Sequence, residues 1–477
     1  MEPEVISPES IQSEDSQEKS KMQQLVQNQR THFNTGKTKD LEFRLKMLRL
    51  LKTAIVNHKE NLEAALKADL NKSETESYAT EIGVTIAEIR HYISNLRTWV
   101  RGQKVPTPLF FLPGKSEIRY EPYGVCLVIG PWNYPFKNLF GPVLGSVSAG
   151  NCTVLKPSEN SPHTAAAIKN MVSEYFDPEY MVVIEGGVSE TTELLKERFD
   201  YLFFTGGTEI GKIIYRAAAR HLTPVTLELG GKSPAIIHKS ANLEVTAKRL
   251  AWGKFINLGQ TCIAPDYLLV DNSIKDQLIE KLKKVIVDFY GEDPSTSPDL
   301  GRIINKHHFD RVKGLIEGDV VFGGDSNEED RYIGPTIINN VKPDDKVMQE
   351  EIFGPIIPII GYDDIEEAID IINKRPKPLA LYVFSNNHGA RKKVINSTSS
   401  GGVCINETIM HVGSPYLPFG GVGNSGIGAY NGRTGFETFS HRRSVMTRSF
   451  MFDVPQKYPP FTEGKLNFIK FALKRLF

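Results

Sequence analysis

Cys262 lies in NLGQTCIAPD, residues 257–266, with Gly259 before it and Pro265 after it. A cysteine in such a polar turn can attack an electrophilic carbon, because a thiolate is intrinsically very nucleophilic. The position also suits a small packing residue, the commoner role of cysteine, and no Cys–His pair is evident from spacing. Asn133 follows Trp132 in GPWNYP, just past a β-rich run and between prolines that stiffen the turn. A rigid amide at a strand tip can donate to a developing oxyanion, or can simply form the turn.

A second group of residues could hold a phosphorylated cofactor. YLFFTGGTEIGKIIYRAAA reads as strand, turn and helix, with Gly206, Gly207, Thr208 and Gly211 forming GxTxxG with one further glycine. Free N–H groups at such a helix start favour phosphate. The middle glycine of the usual dinucleotide fingerprint is missing, and an ordinary βα turn has the same pattern. Two acids compete for a ribose. Glu228 lies about twenty residues past the glycine turn, where a Rossmann ribose acid belongs. Glu159, in LKPSE beside Lys156, is the other, and each also reads as a solvated surface charge. GVGNSG carries a formal GxGxxG at Gly421, Gly423 and Gly426. No clear strand precedes it, so it is rejected as a cofactor motif.

The elements that must position these groups follow from periodicity. Residues from about 23 to 101 read helical, with Leu45, Leu48, Leu51 and Ile55 on one face. The Pro-rich stretch after them cannot be a helix and can carry strands. Then GVCLVIG, CTVLKP, MVVIEG, YLFFTGG and VTLELGG alternate with helical runs. That pattern predicts a parallel sheet covered on both faces, with ligands at the carboxyl ends of its strands. A second set of strands and helices spans about 232–425, and no repeat of fixed period is present.

The 477 residues suggest about three domains. Lys plus Arg and Asp plus Glu both number 57, so no global field favours nucleic acid or a membrane. Cys126, Cys152, Cys262 and Cys404 form no CxxC pair, which argues against a zinc cage or disulfide framework and fits a reducing compartment. The N-terminal stretch is acidic without an apolar core, so it reads as a disordered tail and not a secretory signal. No apolar run approaches the ~18 residues of a spanning helix. These features predict a cytoplasmic protein.

Taken together, PWNYP, LKPSE, FTGGTEIG, LELGGKSP, GQTCIAPD, EEIFGP and PFGGVGNSGIG resemble, in order, the motifs of the NAD(P)-dependent aldehyde dehydrogenase superfamily. The resemblance covers about residues 23 to 450, and GFETFSHRRSV looks like the class 3, or fatty-aldehyde, branch. It implies that Cys262 is the nucleophile, Asn133 the oxyanion donor and Glu228 the general base, so Glu228 is not the ribose acid. Lys156 and Glu159 then face the adenosine ribose. Glu351 and Phe353 hold the nicotinamide ribose and ring, Trp132 lies along the cofactor pocket, and GxTxxG serves the pyrophosphate. No metal is implied. Gly207 stands where many relatives carry Ser or Asn, and Asn431 and Arg433 depart from the class 3 YHGK pattern.

The implied fold is α/β: a Rossmann-like NAD(P)-binding domain over 23–103 and 123–230, and an α/β catalytic domain over 231–424. A β bridging element, 104–122 with a strand near 437–447, pairs subunits as a homodimer. The implied reaction oxidises an aldehyde, with NAD preferred and NADP tolerated. A CoA-acylating relative or an inactive member of the fold is the alternative, and the presence of Glu228 with Cys262 and Asn133 argues against both.

The chain ends in KLNFIKFALKRLF, within the segment 461–477. At about 100° per residue, Leu466, Phe468, Ile469, Ala472, Leu473, Leu476 and Phe477 share one face, opposite Asn467, Lys470 and Lys474. Three readings stand: a helix packed on the protein's own surface, a wall of the substrate tunnel, or a peripheral helix whose lysines meet anionic lipid. Each of the last two suits long apolar aldehydes, fatty or apocarotenal.

Overall fold

The computed structural model describes residues 21–108 and 111–474. Of the expected acidic tail 1–22, only Lys21 and Met22 fall within them, and they begin the first helix, Lys21–Asn34. The helical stretch is broken by its own chemistry. Asp40 caps Leu41–Asn57 by accepting a hydrogen bond from the Phe43 N–H at 2.8 Å. Asn71, left-handed at φ 57°, ends Lys59–Leu70. A π-helical turn, Tyr78–Ile82, leads into Gly83–Trp99. Leu45, Leu48, Leu51 and Ile55 are all buried, each contributing about 1.5–3 kcal/mol of transfer free energy.

The five β-rich runs form one parallel sheet, and a sixth strand joins its edge. The order is Gly426–Ile427, Val225–Glu228, Tyr201–Thr205, Val125–Ile129, Cys152–Lys156, Met181–Val183. The interior strands Val125–Ile129 and Cys152–Lys156 are buried throughout, as expected of a parallel sheet covered by helices. The sixth strand comes from the GVGNSG loop and runs antiparallel, pairing Gly426 with Glu228.

A second, seven-stranded sheet has the order Asp319–Phe322, Thr336–Asn339, Ile356–Tyr362, Tyr267–Asp271, Pro234–Ile237, Ala380–Phe384, Gly402–Ile405. It is parallel except at Asp319–Phe322.

A separate antiparallel sheet joins Gln103–Val105, Gly114–Pro122 and Ser440–Arg448. The last strand was expected near 437–447. Residues 437 and 438 instead close the helix Gly432–Thr438, where Thr438 Oγ1 donates to the Ala429 carbonyl at 2.6 Å. Strand pairing starts only at Ser440, opposite Pro122. Asn431 and Arg433 are both engaged locally: Asn431 Nδ2 donates to the Ser414 carbonyl at 2.8 Å, and Arg433 pairs with Glu437 at 2.8 Å.

The C-terminal segment forms the helix Glu463–Lys474, and Leu476 and Phe477 lie outside the described residues. None of its residues is buried. Leu466, Phe468 and Leu473 are 48%, 41% and 51% exposed. This face is thus about half exposed, with Ile469 and Ala472 partly covered. Among the described residues, no helix is long and apolar enough to cross a membrane.

Candidate active site

Most of the singled-out groups sit where strands of the six-stranded sheet end. Trp132 and Asn133 follow Val125–Ile129, Glu159 follows Cys152–Lys156, Gly206 and Gly207 follow Tyr201–Thr205, and Glu228 closes its own strand. Cys262 arrives from the other side. Its approach is a short turn in which Asn257, Leu258 and Gly259 are all left-handed, at φ 51°, 53° and 75°. Non-glycine residues adopt that conformation at a cost of about 1–3 kcal/mol each. Buried hydrogen bonds offset it. Asn257 N–H donates to Glu76 Oε1 at 2.8 Å, and Asn257 Nδ2 donates to the Asn133 carbonyl at 2.7 Å. Gln260 Nε2 donates to the Arg302 carbonyl at 3.0 Å. Gly259 is required, since a Cβ there would collide with the Gly354 carbonyl.

Two cavities meet at Cys262, Glu228 and Thr205, which line both. One, of about 530 Å³, runs from Glu159 and Gly206–Gly207 past Trp132 and Asn133 to Glu351 and Phe353. The other, of about 840 Å³, is walled largely by Trp252, Phe289, Tyr290, Ile409, Met410 and Phe419. No described residue of the C-terminal helix lines either cavity of this chain.

Glu228 is 3% exposed, and neither carboxylate oxygen has a hydrogen-bond partner among the described residues. Burial pushes its carboxyl well above the usual range. The Gly426 pairing and the Leu229 N–H to Ser425 carbonyl bond, 3.1 Å, brace its strand. Burial also pushes the Cys262 thiol up, with smaller contributions from Glu351 and Glu228. Glu351 is pushed up to about 8 by burial and by Asp266. Asn133 is buried, and its Nδ2 donates to the Gln260 carbonyl at 2.9 Å, which leaves its second amide hydrogen available.

The smaller cavity fits a dinucleotide. Gly207 starts the helix Thr208–Ala219, and a Cβ on it would meet nothing within 4 Å. The helix N-terminus therefore opens on space that a pyrophosphate can fill. Val188, Ile210 and Ile213 line the same cavity yet are 77%, 51% and 52% exposed, an apolar slot suited to a flat ring. Trp132 meets Phe353 edge-on at 5.2 Å and His308 at 4.8 Å.

Not every motif residue reaches the cavity. Thr208 Oγ1 donates to the Asn424 carbonyl at 3.2 Å, and a Cβ on Gly211 would press on Leu229 at 2.7 Å. These two brace the helix against the neighbouring strand and loop. Lys156 does line the cavity; it is buried, with its ammonium donating to the Pro157 and Gly186 carbonyls at 2.8 and 2.6 Å, while half-exposed Glu159 is 3.9 Å away. Sequence reasoning missed Thr205, His308, Arg311 and the Val188–Ile210–Ile213 slot. Ile210 and Ile213 have apolar spacing on one helix, which reads as core, and Val188 comes from another.

A model of the aldehyde dehydrogenase family matches residues 4–445. The 4,4'-diaponeurosporen-aldehyde dehydrogenase of Staphylococcus aureus is 47% identical over 95% of this chain and 99% of that protein. A rat aldehyde dehydrogenase described as dimeric and NADP-preferring is 51% identical, over 91% of this chain and 97% of its own. A solved structure described as the substrate-bound state of S. aureus AldH superposes with a TM-score of 0.92 at 46% identity, covering 94% of this chain and 99% of that one.

Proposed function

The chain belongs to the aldehyde dehydrogenase family, and on that premise we propose that it oxidises long, apolar aldehydes through an acyl intermediate on Cys262. The carrying observation is the meeting of the two cavities at Cys262 and Glu228, one shaped for a dinucleotide and one large and mostly apolar. The relative named for a diaponeurosporenal supports fatty aldehydes and apocarotenals as the substrate class.

Cys262 attacks the aldehyde carbon. The oxyanion of the resulting thiohemiacetal takes hydrogen bonds from the free Asn133 amide hydrogen and the Cys262 N–H. NAD(P)+, when bound, would supply the hydride acceptor that this adduct needs to become a thioester. Glu228 then takes a proton from the water that attacks the thioester carbonyl, the carboxylic acid leaves, and Cys262 is released as thiolate. Phe353 and Trp132 would border the nicotinamide, Glu351 would hold its ribose, and the glycine turn would receive the pyrophosphate. The exposed Glu159 carboxylate disfavours a 2′-phosphate, softened by Lys156, so NAD is preferred and NADP tolerated.

The segments 23–103 and 123–230 form the NAD(P)-binding domain, and 231–424 the catalytic domain. The three-stranded sheet pairs subunits as a homodimer: Ser440–Arg448 is its last strand and carries an edge unpaired among the described residues, a surface that a second copy covers. The exposed helix Glu463–Lys474 makes peripheral contact with anionic membrane, where such substrates partition.

The deciding assay follows formation of NADH or NADPH with short, long-chain, aromatic and polyene aldehydes, with both cofactors and with and without CoA. The expected result is highest kcat/KM for long apolar aldehydes and no dependence on CoA. Turnover that requires CoA, or a preference for short aldehydes, would overturn this reading.

A further inference from the structure

We propose that the larger cavity selects against aldehydes that carry a second, anionic end, through the carboxylates of Glu76, Asp288 and Asp299. The inference rests on the reading of that cavity as the aldehyde site.

The burial of its wall gives the cavity a direction. Tyr134, Thr261 and Ile263 are buried near Cys262, whereas Phe289 and Met410 are exposed at the outer end. The charges that line it are of nearly one sign. Asp288 and Asp299 are exposed and form no ion pair among the described residues. Glu76 accepts from the Asn257 N–H with Oε1, and its other oxygen has no donor among the described residues. Glu228 closes the inner end, but its burial favours the neutral carboxyl, so the anionic character lies with the groups further out.

Lys137 is the cation among the described lining residues, and its ammonium lies 2.6 Å from Glu88 Oε2. Lys72, close to Glu76, is fully buried and committed to Glu81 and to the Asn133 carbonyl. The charge of each ammonium is already offset by its own carboxylate, Glu88 for Lys137 and Glu81 for Lys72, so neither cancels the charge of Glu76, Asp288 or Asp299.

A cleft lined by one sign of charge between low-dielectric walls focuses its field on whatever enters. A neutral chain crosses it without electrostatic cost. A short ω-oxo acid must bring its carboxylate to rest inside the same wall while the aldehyde reaches Cys262. A small dialdehyde would accordingly be oxidised at one end, and the resulting ω-oxo acid would be a poor substrate for the second oxidation.

The test compares succinic and adipic semialdehydes with their methyl esters, using butanal and hexanal as unsubstituted references, in the full-length enzyme with NAD+. The expected kcat/KM ratio of acid to ester is about one tenth or lower, a factor that corresponds to about 1.4 kcal/mol. Raising ionic strength to about 0.5 M should bring the ratio toward one, since the mouth carboxylates are exposed to screening. Asp288→Asn with Asp299→Asn, and separately Glu76→Gln, should move it the same way, and the ratio within each variant is the readout. A wild-type ratio near one, or a low ratio that neither salt nor these variants shift, overturns the selectivity. If the esters and the plain aldehydes are not oxidised either, the aldehyde reading of the cavity itself falls.

Discussion

Three ionisable groups around the junction of the cavities share one physical situation. Glu228 and Cys262 are raised by burial, and Glu351 is raised to about 8 for the same reason. Each is neutral at low pH and gains negative charge as pH rises. The proposed attack needs thiolate, and the proposed deacylation needs carboxylate, so both gain from higher pH. We expect kcat/KM for a neutral aldehyde to climb between about pH 6 and about pH 9 without an upper limb in that window. A steady-state profile that is flat or falling there would contradict the assignment of these groups. The Asn133 amide has the opposite character. It has no proton to lose in this range and is fixed by the Gln260 carbonyl, so its contribution is geometric and independent of pH.

At the scale of elements, the two glycine sites near the chemistry differ in what they permit. Gly259 sits at φ 75° against the Gly354 carbonyl, between the nucleophile turn and the loop that carries Glu351 and Phe353. Gly259→Ala should push these loops apart, lower stability by at least about 1–3 kcal/mol and reduce turnover. Gly207→Ser enters open space at a helix N-cap, so it should leave stability unchanged or raise it by a few tenths of a kcal/mol. Thermal unfolding of the two variants side by side checks both expectations, and equal shifts would refute the distinction.

The contrast also marks how far the sequence could be read. The parallel strands and their helices were legible because their periodicities are local. The left-handed turn at Asn257 and Leu258 was not, because it is held by hydrogen bonds that Asn257 donates to Glu76 and to the Asn133 carbonyl, both far away in sequence. The GVGNSG loop showed no strand of its own, since its two-residue strand exists only by pairing beside Glu228. The proximity of Cys262, Asn133 and Glu228 needed seven motifs in order before it could be expected. Lys156, read as a ribose contact, lines the cofactor cavity, and the two backbone carbonyls that hold its ammonium there are revealed by no spacing.

For the whole molecule, the exposed C-terminal helix is the feature that the packed core does not explain. Phe450, Met451, Phe452 and Phe461 before and beside it are also exposed. Deletion from Phe461 onward should abolish flotation with anionic liposomes while leaving oxidation of a short soluble aldehyde within about twofold of the full chain. Full-length protein that stays at the bottom of the gradient would refute the membrane contact. The central claim concerns Cys262 and Glu228, and intact-mass analysis of Glu228→Gln mixed with a long aldehyde and NAD+ tests it most directly. A burst of about one NADH per subunit and a matching acyl mass on Cys262, absent in Cys262→Ala, are expected because deacylation lacks its base. An unmodified Cys262 alongside continued NADH production, or an acyl group carried by another residue, would contradict it.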